Sequence, residues 1–217
     1  MIQPSIRIIL LAVLLLNACA TLPPPDPKRS ATLHEEALRS VSIGNYATAV
    51  RKFAEAIRYN PMEGNLYLQQ AEVFEFLQDF AEAERVYELG LDRLPPGHEQ
   101  RERIHYRLGL VQCRDKNKLN RARAHLDQLA DPSQRADLEG MILLQSGQPD
   151  DALFLFSEAL KSAPDYDHQA RIYYHASLAH FRRNDLVEAK NALFHAVNNA
   201  SSLALKQHIT IFFDQIR

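Results

Sequence analysis

Nine histidines, two cysteines and 27 acidic side chains are the groups in this 217-residue chain with the chemistry to bind a metal, attack a carbonyl or move a proton. Their spacing argues against all three. His175 and His180 lie five residues apart, which sets them on different faces of a helix, whereas a metal-binding pair at i and i+4 shares one face. His34-Glu35 and His98-Glu99 lack the second histidine of a zinc-protease helix, and neither a GxSxG elbow nor a phosphate-binding loop occurs. Asp150-Asp151 stands at a helix start, where negative charge complements the helix dipole. No catalytic constellation, metal site or cofactor is expected, and the chain reads as a binding protein rather than an enzyme. A hydrolase site hidden among the helices is the less favoured alternative, since fold alone never excludes activity.

The elements that must carry any binding residues are helical. Apolar residues recur at helical rather than alternating spacing, which predicts an all-α chain long enough for one domain with a substantial core. A formal charge of −2 supplies no basic field for nucleic acid. One phrase organises the chain: Gly44-Asn45-Tyr46, then Ala49, Phe53 and Ala56, then Pro61 as a stop. It returns as Gln78-Asp79-Phe80 with Ala83, Tyr87, Gly90 and Pro95, and again as Gly147-Gln148-Pro149 with Ala152, Phe156, Ala159 and Pro164. A repeated phrase of this period signals a helical solenoid.

These residues resemble the second half of a tetratricopeptide repeat, in which small, aromatic and small residues line one helix face. The resemblance implies a right-handed solenoid of about five helix-turn-helix repeats over residues 31–203, with Ala49, Ala83, Ala122, Ala152 and Ala189 as their markers. Only the first step between markers equals the family's period of 34 residues. The third repeat is the least typical: Asn117-Lys118-Leu119 replaces the usual turn, Ala122, Leu126 and Leu129 supply its second helix, and Ser133 is expected to cap the helix after it. The fifth repeat is expected from about Ala170, after a loop at Asp165-Tyr166-Asp167. Residues 204–217 put Leu205, Ile209, Phe212, Phe213 and Ile216 on one face and Lys206, Gln207, Thr210 and Asp214 opposite, the pattern of a helix that caps the last open core.

The first 18 residues have one charge, Arg7, ahead of an apolar run from Ile8 to Leu16, too short to span a bilayer but suited to a secretory signal. Leu16-Asn17-Ala18-Cys19 resembles a bacterial lipobox, although Asn17 departs from the usual small residue. The resemblance implies cleavage before Cys19, acylation of that cysteine with palmitate-type chains, and firm membrane anchoring. Ala20 follows in place of an aspartate that would resemble an inner-membrane retention signal, so the outer membrane's periplasmic face is expected. Residues 19–30 then form a proline-rich spacer, expected to be extended and to lift the folded part roughly 30 Å from the bilayer.

In the resembled family the first helices line a concave face. Position by position, that places Leu68, Glu72, Glu75 and Phe76 of repeat two on the face, and Arg107, Val111, Arg114 and Asp115 of repeat three. Repeat four adds Asp137, Met141 and Leu144, and repeat five Arg171, Tyr174, Leu178, Phe181 and Arg182. Arg107, Arg114, Met141, Arg171, Tyr174, Phe181 and Arg182 make the expected peptide groove, because arginines and aromatics dominate binding hot spots. Some relatives hold an acidic peptide tail with a lysine and asparagine clamp; His34 and Leu38 stand at its first two positions here. Cys113 falls at a packing position, where a buried inert thiol is expected. The whole is similar to lipoproteins that act as pilotins, helping a pilus secretin assemble. An adaptor for peptidoglycan enzymes or polysaccharide export is the alternative; either way the implied partners are envelope proteins, with the membrane reached through Cys19 and nucleic acid excluded.

Overall fold

In the computed structural model, residues 23–216 are described; the expected signal segment and Cys19 lie outside them. Five helix pairs follow one another: α1 (Pro27–Ser42) with α2 (Tyr46–Tyr59), α3 (Gly64–Phe76) with α4 (Phe80–Arg93), α5 (Arg101–Gln112) with α6 (Leu119–Ala124), α7 (Pro132–Gln145) with α8 (Pro149–Lys161), and α9 (Tyr166–Arg182) with α10 (Leu186–Asn199). A last helix, α11 (Leu203–Gln215), completes the fold, and no strand occurs among the described residues.

Four of the five turns within pairs share one design. A left-handed residue, Gly44, Gln78, Gly147 or Asn184 (φ +75°, +61°, +89° and +62°), ends the first helix. The amide of the following residue then reaches back five positions, as from Asn45 to the carbonyl of Ser40 and from Asp185 to that of His180, the closure that satisfies the last carbonyls of a helix. In three of the four, that same following residue also caps the second helix: the side chains of Asn45, Asp79 and Asp185 accept from the amides of Thr48, Glu82 and Glu188, whereas Gln148 makes no such bond. Repeat three has no left-handed residue at this point. Its turn is a short 3₁₀ segment, Lys116–Lys118, begun by Asp115, and its second helix is interrupted after Ala124 by another, Leu126–Gln128. The helix expected through Leu129 is therefore a single short α segment with a tightened tail.

Three local boundaries differ from expectation. Pro27 does not extend the spacer but starts α1, because Asp26 caps it and a proline at the first helical position has no amide to lose. Asp131, not Ser133, caps α7; Ser133 is buried, and its hydroxyl donates to the Ala159 carbonyl at 2.7 Å. Asp165 caps α9 by accepting from the His168 amide, so the fifth repeat begins at Tyr166 rather than near Ala170.

Between the helices of each pair the marker alanines Ala49, Ala83, Ala122, Ala152 and Ala189 are completely buried, and Phe53, Tyr87, Phe156 and Leu193 fill the space beside them. Small residues allow the backbones to approach, and the large ones then pack without voids. Gly140 takes this to its limit: a Cβ there would lie 2.6 Å from a ring carbon of Phe156. Cys113 is buried, and burial pushes its thiol up to about 12.

The last helix does two jobs. Leu205, Ile209, Phe212 and Ile216 cover Ala170, Ala189, Leu193 and Ala196 of the fifth repeat, the capping role. It also crosses to repeat two, where the Ser202 hydroxyl at its start donates to the Glu72 carboxylate and His208 lies 5.9 Å from the ring of Phe80. Phe213, expected on the buried face, is 45% exposed.

Gly140→Ala is expected to destabilise the fold by about 1–3 kcal/mol, because overpacking against a fixed ring outweighs the roughly 1 kcal/mol of helix propensity gained. Urea unfolding of the purified variant measures it; an unchanged or higher midpoint would show that Phe156 moves aside freely.

Candidate functional site

The first helices α3, α5, α7 and α9 bring their polar residues to one concave surface, and two carboxylates are buried there. Arg107 Nη2 donates to Glu75 Oε1 at 2.7 Å, and the Tyr87 hydroxyl donates to the same oxygen at 2.6 Å. Burial alone would raise Glu75, but Arg107, the Tyr87 hydrogen bond and the more distant Arg171 and His208 hold its carboxyl below the usual range. Arg107 is buried in turn, and Glu75 keeps it charged against that burial.

The second carboxylate, Asp137, is fully buried between repeats. The Tyr106 hydroxyl donates to its Oδ2 at 2.6 Å, and His175 Nδ1–H donates to its Oδ1 at 2.8 Å. Burial pushes the carboxyl up, yet His175, His168 and the Tyr106 bond leave it lowered overall. His175 is thus a partner of one aspartate across two repeats, while His180, on another face, lies 3.8 Å from Asp185.

Beyond this pair of networks opens a cavity of about 440 Å³. Arg114, Met141, Arg171, Tyr174, Phe181 and Arg182, six of the seven residues assigned to the groove from sequence, all line it. The seventh, Arg107, stands behind Glu75 and does not. Of the other concave positions, Phe76 lies 4.6 Å from the ring of Tyr46 and Glu72 is bound to Ser202, so neither joins the cavity. The Arg114 guanidinium carbon lies over Phe80, 3.8 Å from the ring centre, a contact that holds the cation on an aromatic face. Burial pushes the Tyr174 hydroxyl up against the opposing pull of Arg114. Arg171 is buried and reaches Asp167 only at 3.5 Å, and Arg182 hydrogen-bonds Gln145 at 3.2 Å.

The opposite wall was not expected. Leu205, His208, Ile211 and Phe212 of α11 roof the cavity; Phe212 meets Phe181 edge-on, with ring centres 5.4 Å apart. His208 Nε2 is buried without a hydrogen-bond partner. Burial lowers His208 to about 4, with Arg114, Arg171 and Arg107 adding to the effect and Glu75 opposing it. The amphipathic pattern of α11 foretold a buried face, but a contact between residues 130 apart, such as Ser202 with Glu72, leaves no local signal in sequence.

A family model described as tetratricopeptide repeat matches residues 34–98 and 138–200. No curated protein matches the chain in sequence. Among solved structures, the chain is similar to a chain of the APC/C hetero-tetramer Cut9-Hcn1 (TM-score 0.60, 14% identity), covering 88% of this chain but only 38% of that one. It is also similar to PilW, a widely conserved type IV pilus biogenesis factor (TM-score 0.57, 15% identity, 86% and 91% of the two chains). The third is pilF of Pseudomonas aeruginosa (TM-score 0.54, 16% identity, 87% and 86%). At these identities the likeness is one of fold.

Removing Arg107 strands a buried carboxylate, so Arg107→Ala is expected to cost about 3–5 kcal/mol in urea unfolding, and Glu75→Gln with Arg107→Met to recover much of it. Equal losses in the single and double variants would mean that the ion pair is not what the site depends on. A second expectation concerns pH. Docked, His208 titrates near 4; in water it titrates at about 6.5. The undocked helix therefore binds the proton more tightly, so docking is complete above about pH 6.5 and weakens as pH falls towards 4. Methyl NMR of Ile209 should report release over that window in the wild type and a flat profile in His208→Gln; identical profiles would exclude His208 as the cause.

Proposed function

The chain belongs to the tetratricopeptide repeat family, and from that premise we propose that it is a lipid-anchored scaffold on the periplasmic face of the outer membrane. It holds a segment of an envelope protein on its concave face during assembly of a pilus secretin or similar complex. One observation carries the binding reading: six residues of hot-spot type from three repeats converge on a single cavity. Around it the carboxylates are committed to structural bonds, Glu75 to Arg107 and Tyr87, and Asp137 to Tyr106 and His175. That leaves recognition rather than bond-making as the chemistry on offer, and no enzyme family is indicated by the comparisons. The pilus setting is supported by the likeness of fold to PilW and pilF, and the anchor by the resemblance of Leu16-Asn17-Ala18-Cys19 to a lipobox.

The experiment is photo-crosslinking in cells with p-benzoylphenylalanine in place of Phe181 at the cavity, and in place of Phe154 as a control. Phe154 is 65% exposed on α8 and lines no part of the cavity. Position 181 is expected to capture a secretin or pilus subunit and position 154 to capture neither. Wall hydrolases or synthases at position 181 would replace the pilus reading with the adaptor one, and capture at 154 alone would overturn the concave site. Anchoring is read separately: palmitate labelling should vanish in Cys19→Ala.

A further inference from the structure

The cavity between the concave face and α11 has a charge imbalance that the fold does not resolve. Three guanidinium groups line it, those of Arg114, Arg171 and Arg182, against one carboxylate, Glu75. Glu75 already accepts from Arg107 and Tyr87. The acids behind the wall are equally committed: Asp137 to Tyr106 and His175, and Asp167 to the amides of Ser201 and Ser202 at 2.8 and 2.7 Å. Arg114 and Arg182 form no ion pair among the described residues, and Arg171 has only its 3.5 Å approach to Asp167. Histidine adds no compensating negative charge, whatever its protonation. Arg171 is buried, and a cation at low dielectric attracts an anion more strongly than the same cation in water, while the exposed Arg114 and Arg182 add their positive charge to the same cavity.

Shape and the remaining lining narrow the class. Guanidinium forks match a planar carboxylate. Leu178, Phe181, Ile211 and Phe212 supply an apolar flank on the same cavity. A space of about 440 Å³ lies near the small end of ligand pockets and takes a group the size of one or two residues, not a strand passing through. We propose that this cavity binds a carboxylate carried on a compact apolar group, the acid on Arg114, Arg171 and Arg182 and the apolar part against Phe181 and Phe212. The proposal deepens the concave-face reading and rests on it only for what carries the acid, a polypeptide end or a free organic acid. The site uses repeats three to five and α11, and none of it lies in repeat one, where His34 and Leu38 stand.

The test is calorimetric titration of the purified full-length protein with three probes: N-acetyl-leucyl-phenylalanine with a free carboxyl, the same dipeptide as its amide, and octanoate. The acid dipeptide should bind and the amide should not. Octanoate binding as well as the dipeptide acid assigns the site to free acids, and octanoate failing assigns it to polypeptide ends. Arg114→Gln and Arg182→Gln, both at exposed residues and each checked for an unchanged circular dichroism spectrum and melting temperature, should each weaken the acid about tenfold or more. Equal binding of acid and amide, no binding of either acid, or unchanged affinity in both variants would overturn the proposal. Because the probes need no cellular partner, this outcome is independent of what Phe181 captures in cells.

Discussion

Five alanines with no exposed surface, Ala49, Ala83, Ala122, Ala152 and Ala189, set the distance between the two helices of every repeat. Any larger side chain there would push the pair apart and tilt everything stacked above it, because in a solenoid each repeat rests only on its neighbours. The same one-dimensional stacking leaves an open apolar face at the last repeat. Ala170, Leu193 and Ala196 would meet water there without Leu205, Ile209 and Phe212 of α11. The closing helix follows from the way the stack is built.

Its position has a second consequence. By crossing from repeat five to Glu72 and Phe80 of repeat two, α11 turns an open trough into a partly roofed one. Charges that would be solvated on an open concave face are then held at low dielectric, where an unpartnered ion is costly. The structure meets that cost with shared partners: one oxygen of Glu75 serves both Arg107 and Tyr87, and Asp137 serves Tyr106 and His175 from different repeats. Three of these four bonds tie neighbouring repeats together, Arg107 to Glu75, Tyr106 to Asp137 and His175 to Asp137, while the Tyr87 bond braces the two helices of repeat two.

Much of this was legible in the sequence, for reasons that are local. The turns at Gly44-Asn45, Gln78-Asp79 and Gly147-Gln148 each close within a few residues, and the first two add a capping side chain. The marker alanines and their aromatic neighbours follow from helical spacing. The groove residues came from family positions, and six of seven meet at one cavity. What could not be read is non-local or a matter of competition. Asp131 wins the cap of α7 from Ser133 because the Ser133 hydroxyl is drawn instead to the Ala159 carbonyl. Asp26 turns Pro27 from a breaker into a starter. The roof over the cavity depends on how far five repeats rotate, a sum over the whole array that no single residue announces.

That roof sets the terms on which anything binds. A partner helix seeking the whole trough would have to displace α11, which is joined to α10 by only three residues, Ala200 to Ser202. A segment on so short a tether competes at an effective concentration in the millimolar range or above, so a free partner of ordinary affinity loses unless α11 is released. The cavity needs no such release. Its guanidinium groups and aromatic rings are already in place around the cavity, and binding there spends little on reorganisation. Small acidic groups thus have access to the concave face while long helical segments do not. Since His208 lies on the roof and titrates below its solution range, acidity loosens the barrier to the second class without removing the arginines that attract the first.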